Sequence, residues 1–362
     1  MTSDSGLFRS YEQMYSQGFR ITGNAFVKDT TRYLPLYEAK LVHQFNHRAA
    51  TFQGVQEDSR FKTHAWADDP SAAQLEDAAY QVWPRFWISE SDVESVRQYH
   101  GPLVAFRNAI STVADSRTFV ASTLPACGVG NSMPISWSET LDGYAAVILS
   151  LFNSIALDYI VRQKASGGNL NFYVVKQLPL PNPDALLEIC SWSPLTSTKM
   201  WLTVRVLDLT YTAWDIEGFA LDCGYDGPPF RWDEERRFLL RCELDAAYFH
   251  LYLGASEEWG NDSPQLREMF PTPRHAVEYI METFPIVKRK DIKRHGDYRT
   301  KLVILDLYDQ MQQAMESGSP FHSQLDPPAG PPTDSEGNFI PMADWDLHHW
   351  PSHIHPPRDP IT

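Results

Sequence analysis

Residues 32–52, RYLPLYEAKLVHQFNHRAATF, place charged and imidazole side chains in an otherwise apolar stretch. Asp29, Glu38 and Lys40 loosely follow the pattern of a metal-dependent nuclease, in which an acid lies upstream of E-x-K. In that chemistry the carboxylates hold Mg²⁺ and the lysine lies near the attacked phosphate. The pattern is short and common, and no Pro-Asp precedes it, so a metal-dependent nuclease is a secondary hypothesis.

Two groups of histidines have spacings that metal sites use. His43 and His47 stand four residues apart, which on a helix would put both rings on one face, as zinc ligands are placed. No Glu follows His43 in an H-E-x-x-H pattern and no third ligand is evident, so a surface or groove pair is favoured. A second group, with two tryptophans, lies near the C-terminal end: Trp345, His348, His349, Trp350, His353 and His355. Adventitious metal binding is one reading of that group, and a disordered tail is the favoured one.

The string ACGVGNS is rich in glycine, as phosphate-binding loops are. It lacks the G-K-[ST] of a P-loop and the G-x-G-x-x-G of a dinucleotide site, so a β-turn is the default interpretation. The backbone amides of Gly128, Gly130 and Asn131 could still approach a DNA phosphate closely, because glycine has no Cβ.

The clearest electrostatic feature is the basic run at residues 287–301, VKRKDIKRHGDYRTK. Two aspartates, Asp291 and Asp297, oppose its seven cations, which leaves a local excess of five positive charges in a chain of formal net charge −15. The cations are Lys288, Arg289, Lys290, Lys293, Arg294, Arg299 and Lys301. Each phosphate contact made there would release counterions. The pattern therefore indicates nucleic-acid contact or, as the alternative, a solvated loop between helices.

Composition limits the class of protein. The 362 residues are enough for two domains with sizeable cores, and 43% hydrophobic content excludes a disordered chain. No apolar run reaches about 18 residues and the N-terminal segment has no signal-peptide pattern, so no membrane association is expected. The four cysteines are scattered without CxxC spacing, which favours a reducing cytoplasm over disulfides or zinc. The net charge argues against non-specific wrapping of nucleic acid but permits a local basic groove.

The pattern of apolar residues predicts an α/β mixed (α+β) domain over residues 1–182, a mainly helical domain over 183–315, and an extended Pro-rich tail over 316–362. In the first domain, Leu34–Leu36 and residues 117–126 are predicted strands, residues 140–164 a long helix, and residues 169–181 a strand leading into the PNP boundary. In the second, residues 232–254 form a predicted helix with Asp233 as N-cap and Gly254 as its end. Residues 273–285 and 298–318 are two further predicted helices.

Several of these segments, in this order, resemble a known family. They are RYLPLYEAKLVHQFNHRAATF, RTFVASTLPACGVGNSMP, LFNSIALDYIVRQKASGGNLNFYVVKQLPLP, DCGYDGPPFRWDEERRFLLRCELDAAYFHLYLG and ETFPIVKRKDIKRHGDYRTKLVILDLYD. Together they are similar to the C-terminal third of large adenine-specific DNA methyltransferases. These are the fused type IIG restriction–modification enzymes and the related methylases of phage-defence systems such as DISARM. The resemblance covers most of residues 1–312.

The catalytic motifs of that family are missing from this chain. The family has a Gly-rich S-adenosylmethionine loop and an N-P-P-[YFW] motif, and the nearest string here, PNPDA, does not match it. The resemblance therefore implies the target-recognition part of such a system: a split-gene subunit, a frameshifted remnant or a truncated chain. We expect double-stranded DNA and a catalytic methyltransferase polypeptide as partners. S-adenosylmethionine is expected on that partner or missing domain, and no cofactor on this chain.

The resemblance also implies roles for individual residues. Residues 34–48 are similar to the segment by which the family's chain enters the recognition domain, so Lys40, His43, His47 and Arg48 would position DNA rather than catalyse. Glu38 would orient Lys40 or Arg48 through an ion pair. The family commonly has Gly at the position of Ala39 and Asp at that of Asn46, and the second change removes a carboxylate that could support His47 or Arg48.

A second DNA-contacting segment is implied where the family's recognition domain closes, here residues 162–172. Arg162, Lys164, Asn169 and Asn171 would be directed toward a groove, where Asn can read adenine and Lys or Arg can read guanine. The main hypothesis is thus a DNA-recognition module of a bacterial adenine-N6 methylation or restriction–modification system, inactive alone. Its affinity would come from the basic run and its specificity from residues 100–175. The alternatives are the metal-dependent nuclease and a non-enzymatic acidic protein that acts on a defence enzyme.

Overall fold

The computed structural model describes residues 4–61, 67–110, 115–136, 143–165, 168–254, 258–261, 263–335, 337–346 and 348–358. It contains mixed helices and mostly antiparallel sheets, which confirms the predicted α/β mixed class. The strands are β1 (Arg20–Thr22), β2 (Ala25–Lys28), β3 (Thr31–Tyr37), β4 (Trp87–Ser89), β5 (Val104–Phe106), β6 (Ala109–Ile110), β7 (Ala121–Thr123), β8 (Gly128–Val129), β9 (Ile135–Ser136), β10 (Gly168–Asn169), β11 (Ile189–Cys190) and β12 (Ser193–Ser197). The helices are α1 (Tyr11–Ser16), α2 (Glu57–Arg60), α3 (Ala72–Glu76), α4 (Glu90–Val96), α5 (Ala145–Asn153), α6 (Ile155–Lys164), α7 (Phe172–Val175), α8 (Thr198–Thr210), α9 (Glu217–Asp222), α10 (Glu234–Leu253), α11 (Pro264–Met269), α12 (Pro273–Glu282), α13 (Pro285–His295) and α14 (Arg299–Ser317).

The largest sheet is built on β3, the strand that precedes residues 40–50, which we call the His43 segment. Strands β1 to β4 pair antiparallel in chain order, and β8 runs parallel to the end of β3. Asp29 adopts a positive φ of 53° in the two-residue turn between β2 and β3, a conformation that Asp tolerates better than most residues. The predicted strand Leu34–Leu36 is confirmed as part of β3.

A second sheet, β7-β5-β9, packs against the helices through Phe106 of β5 and through Phe119, which precedes β7. Phe106 and Phe119 meet edge to face at 5.4 Å, and Phe119 stacks on Phe152 of α5 at 4.6 Å. The strand predicted over residues 117–126 is shorter than expected, because only Ala121–Thr123 form a ladder. These aromatic contacts join the second sheet to the helical layer.

Helix α10 lies at the centre of the helical layer, in contact with α14, α8 and α6. Its start and end follow the predicted signals. The Asp233 carboxylate accepts a hydrogen bond from the Arg236 amide at 2.7 Å, and Gly254 ends the helix with a φ of 72°. The helices predicted over 273–285 and 298–318 are confirmed as α12 and α14.

The long helix predicted over residues 140–164 is two helices, α5 and α6, that bend by 61° at Ser154. Residues 140–142 of that prediction lie outside the described residues. Ser154 is extended (ψ 144°) and caps α6 by accepting the Leu157 amide, while Asp245 accepts the Ile155 amide at 2.7 Å. At this point the side chains of Ser154 and Asp245 accept backbone amides in place of the helical carbonyls. The spacing of apolar residues does not reveal such side-chain hydrogen bonds.

The strand predicted over residues 169–181 is wrong. Only Gly168–Asn169 form a strand, and residues 172–175 make a short helix. The preceding Gly167 of the predicted Gly-Gly turn lies outside the described residues.

The main hydrophobic core includes residues from both sides of the predicted boundary at 182, among them Phe152 and Trp201. The two predicted domains therefore share that core.

The Pro-rich segment from residue 316 has little regular secondary structure, as predicted, but its described residues are packed rather than disordered. Phe321, Trp345 and Ile354 belong to the main core. The Arg236 guanidinium of α10 donates to the Pro327 carbonyl at 2.7 Å and so ties the segment to the helical layer.

Within the described residues, no single helix is long and apolar enough to cross a membrane; only the bent pair α5–α6, largely buried here, has the necessary length and composition.

Candidate nucleic-acid interface

Two adjoining cavities form a groove between the His43 segment, α10 and α13. Their volumes are about 820 and 300 Å³, and they share His43, Gln44, Glu234 and Arg241 as lining residues. We call this the cationic groove because eight Lys or Arg residues line it against five acids. The cations are Lys40, Arg107, Arg117, Arg237, Arg241, Lys290, Arg294 and Arg299, and the acids are Asp69, Glu234, Glu235, Asp245 and Asp291.

The groove unites the two stretches that the sequence singled out. Six residues between 40 and 50 line the larger cavity, and Lys290, Arg294 and Arg299 of the basic run line the smaller one. A net positive lining in a chain of net charge −15 is a local concentration of positive potential. The arrangement can attract and hold a polyanion.

A strained turn presents His43 to the groove. His43 and Asn46 exchange backbone hydrogen bonds of 2.8 and 3.0 Å, and Phe45 between them has a positive φ of 56°. A left-handed non-glycine residue costs about 1–2 kcal/mol. Three contacts hold the turn in place. The Phe45 ring is buried, the Phe45 backbone N–H donates to the Ala121 carbonyl (3.1 Å), and the Gln44 side-chain amide donates to the Asn153 carbonyl (3.0 Å). Strain of this kind is found mainly at functional sites.

The imidazole of His43 is neutral at pH 7. Desolvation by the surrounding groove walls is the main reason that the pKa of the ring falls to about 3, although the residue as a whole is exposed to solvent. The charges of Arg107, Arg241, Lys290 and Arg117 lower the pKa further. A bound anion would offset these charges, so its arrival would favour protonation of His43.

The groove cations differ in how far the protein already uses them. Within the described residues, Arg241 and Arg294 form no hydrogen bond or ion pair, and Lys290 donates only to the Ser116 hydroxyl at 2.9 Å. By contrast, Arg117 pairs with Asp158 at 3.2 Å and with Asp245 at 3.6 Å. Arg241, Lys290 and Arg294 are therefore the cations best placed to bind an added anion.

Other lining cations are engaged with the protein itself. Arg107 donates to the carbonyls of Ala39 and Val42, and Arg237 donates to the Leu209 carbonyl and lies 3.7 Å from the Trp232 ring centroid. Arg299 is ion-paired to Glu235 and lies over Phe238. Lys40 lies 5.5 Å from the Phe52 ring, and partial burial, followed by the charge of Arg85, lowers its pKa.

The basic run forms helix α13 rather than a loop, so its charges fall on different faces. The groove is lined by Val287, Lys290, Asp291, Arg294 and His295, whose spacing of three and four residues marks one face. Arg289 and Lys293 are exposed on the opposite side and line neither cavity. Lys288 is paired with Glu282 at 2.7 Å, and Lys301 with Glu278 and Glu282. Only part of the predicted basic cluster thus faces the groove.

His47 and Arg48 do not reach the groove, which contradicts their predicted contact with DNA. His47 is 1% exposed, and its Nε2 lies 2.8 Å from Asp215 Oδ1. Arg48 is 0% exposed, and its guanidinium donates to backbone carbonyls that include Asp77 and Thr212, at 2.8 and 3.0 Å. A side chain fully enclosed by the protein cannot meet a phosphate, so both residues hold the fold together.

The predicted second segment lies apart from the groove lining. Arg162 contacts Asp158 at 3.6 Å and stacks on Phe284 at 4.4 Å, which makes it a packing residue. Lys164, Asn169 and Asn171 are exposed, and none of them lines the groove cavities. Their predicted role in reading bases stays a prediction.

Gly128, Gly130 and Asn131 line a different cavity of about 660 Å³ beside β8. The Gly130 amide already donates to the Tyr37 carbonyl at 3.0 Å. A Cβ on Gly128 would lie 2.6 Å from Ile88 Cγ2, so this glycine is required by sheet packing rather than by a phosphate. Asn131 is exposed. Sheet packing explains Gly128 without a nucleic-acid role, and the predicted phosphate contacts of Gly130 and Asn131 stay a prediction.

The nuclease residues are not brought together. Asp29 lies in the turn before β3 and Glu38 follows the other end of this seven-residue strand, so their backbones are roughly 20 Å apart. The Glu38 carboxylate is bound by Arg85. Among the described residues no group of three His, Cys, Asp or Glu side chains could hold a metal ion. In the tail, His353 is buried against the Gly330 carbonyl at 2.9 Å, whereas His349 pairs with Asp346.

Sequence reasoning missed Arg107, Arg117, Arg237, Arg241 and Trp232 as groove residues. Arg237 and Arg241 stand four apart on α10, about one helical turn, but this spacing does not distinguish them from other helix positions. Comparisons with family models, with curated proteins and with solved structures found no match for this chain.

Proposed function

We propose that this chain is a DNA-binding, target-recognition component of an adenine-specific DNA methylation or restriction–modification system. The observation that supports it best is the cationic groove, in which the His43 segment and the basic helix α13, two stretches far apart in sequence, line adjoining cavities. Phosphate contacts supply most of the non-specific affinity for DNA, and arginine and lysine side chains make them.

Three cations of the groove are little engaged with the protein and can therefore bind phosphates. Arg241, Lys290 and Arg294 would each neutralise one phosphate, and the neutral His43 ring would donate one N–H to a phosphate oxygen. The resemblance of the chain to adenine-specific methyltransferases favours duplex DNA over other polyanions. A catalytic methyltransferase polypeptide would then supply S-adenosylmethionine and the pocket for the extruded adenine.

The alternative functions have less support. A nuclease using Asp29, Glu38 and Lys40 needs side chains that lie at opposite ends of β3. A non-enzymatic acidic protein that acts on a defence enzyme agrees with the net charge of −15, but the positively charged groove interrupts its acidic surface.

A salt titration of duplex binding tests the proposal. The purified chain and a labelled 30-base-pair duplex would be measured by fluorescence anisotropy between about 50 and 200 mM salt, and three phosphate contacts give a slope of log K against log salt of about −2.7. Binding that does not change with salt, or no binding at the lowest salt, would contradict the proposal.

A reconstitution tests the catalytic partner. The chain would be mixed with candidate adenine methyltransferase polypeptides, and methyl transfer from labelled S-adenosylmethionine to duplex DNA would be counted. We expect transfer only when both polypeptides are present. Transfer by this chain alone would refute the assignment of the chemistry to a partner.

A further inference from the structure

The larger cavity of the groove is large enough to hold a ligand inside it, as well as to contact a DNA backbone at its surface. It measures about 820 Å³, a volume typical of pockets that enclose a small organic ligand. A double helix is too wide to enter this cavity, so only its phosphates would reach the lining cations, whereas one unpaired nucleotide can enter. The chemistry of its walls therefore indicates which part of a nucleic acid it accepts.

The walls have an apolar part and a cationic part, with two acids, Asp69 and Glu234, in the same lining. Apolar and aromatic surface comes from Ala49, Ala50, Pro70, Leu75 and the Trp232 ring, which carries the Arg237 guanidinium on one face. A phosphate backbone does not bind such a surface, whereas a planar base can. Any base can stack on an aromatic ring, because every base has a π-face.

The cationic part lies in the same cavity and contains Arg241 and His43. Arg241 is partly buried and, within the described residues, its guanidinium has no hydrogen-bonding or ion-pairing partner. Burial lowers the pKa of Arg241, and the opposing effects of Cys242, Glu234 and Asp245 do not outweigh it. A guanidinium held in a concave site without an acceptor is ready to receive an oxyanion such as a phosphate.

We infer that this cavity binds one unpaired nucleotide, with its base against Trp232 and its phosphate on Arg241 and His43. The inference rests on the proposed function and deepens it: the chain would select DNA in which a nucleotide has left the stack. It makes Trp232 and Arg241 positioning residues for that nucleotide.

The test compares three DNAs that differ at one position: a fully paired duplex, the same duplex with one unpaired nucleotide, and the same duplex with an abasic site there. We expect the unpaired nucleotide to increase affinity by roughly tenfold, the effect of one stacked base, and the abasic DNA to lose that gain. In Trp232→Leu and Arg241→Gln the ratio should fall toward one. It should return largely in Trp232→Phe and be unchanged in Arg289→Gln, which lies on the outer face of α13. Circular dichroism would verify that each variant is folded.

The outcomes separate this inference from the proposed function. Equal affinity for the three DNAs overturns the inference and leaves the groove as a backbone site. If no DNA binds, the proposed function fails, and calorimetric titration with deoxyadenosine monophosphate decides the inference. Binding that is lost in Arg241→Gln supports a nucleotide site, and no binding overturns it.

Discussion

Helix α13 offers a sharp test because its charges lie on two faces. Lys290 and Arg294 line the cationic groove, whereas Arg289 and Lys293 are exposed on the opposite side. The double variant Lys290→Ala/Arg294→Ala removes two charges from the groove. Its matched control, Arg289→Ala/Lys293→Ala, removes the same charge from the same helix.

The magnitude follows from the number of phosphate contacts. With contacts from Arg241, Lys290 and Arg294, affinity falls about 40-fold between about 50 and 200 mM salt. The groove variant keeps one contact, so its slope should be about −0.9 and its loss about threefold over the same range. At about 100 mM salt its affinity should be roughly 10- to 100-fold below that of the unchanged chain.

The assay is fluorescence anisotropy with a duplex at several salt concentrations, with unfolding midpoints measured alongside. The control variant should lose much less affinity, because solvent-exposed charges are screened over about 10 Å at 0.1 M salt. Equal losses in the two variants would mean that only net charge matters. A larger loss in the control would place DNA on the outer face of α13 and refute the groove.

Three further predictions concern the framework around the groove. Arg48→Met should lower the free energy of unfolding by about 3 kcal/mol or more, because carbonyls such as that of Thr212 lose their buried donor. A shift of the urea midpoint that corresponds to a loss of less than about 1 kcal/mol, roughly the cost of one hydrogen bond, would contradict this. Gly128→Ala should cost about 1–3 kcal/mol, since its Cβ would lie 2.6 Å from Ile88 Cγ2, whereas Gly130→Ala should cost less than about 0.5 kcal/mol; equal midpoints for the two variants would show that the contact is relieved without cost. Burial lowers the pKa of His250 to about 4, so the stability that the neutral ring contributes is complete above pH 6.5 and falls as pH drops toward 4; His250→Gln should remove about 2 kcal/mol of the loss between pH 7 and pH 5, and unchanged acid sensitivity would refute this.

The sequence predicted those elements whose signals are local. The helix at 232–254 has an N-capping Asp233 and a terminal Gly254, and both act as expected. The His43 segment and the basic run were also identified from residue types alone, and they do meet at the groove. Local chemistry of caps and charge clusters is legible because it depends on few neighbours.

What the sequence did not show depends on long-range contacts. The apolar pattern continues through Ser154, so the 61° bend there follows from a cap and from Asp245, ninety residues away. Arg48 has the sequence character of a surface cation, but the backbone carbonyls of Leu75, Asp77 and Thr212 surround it in the structure. Arg241 stands in an ordinary helix pattern, and only the packing of α10 beside the His43 turn places it in the groove.

Photocrosslinking tests the central claim, that DNA lies in the cationic groove, most directly. A duplex with photoreactive thymines at every thymine position would be bound and irradiated, and the modified peptides identified by mass spectrometry. We predict crosslinks in the segments 40–46 and 287–301, at those residues of each segment that line the groove. Crosslinks confined to residues 164–175, or to the glycine segment 126–136, would contradict it.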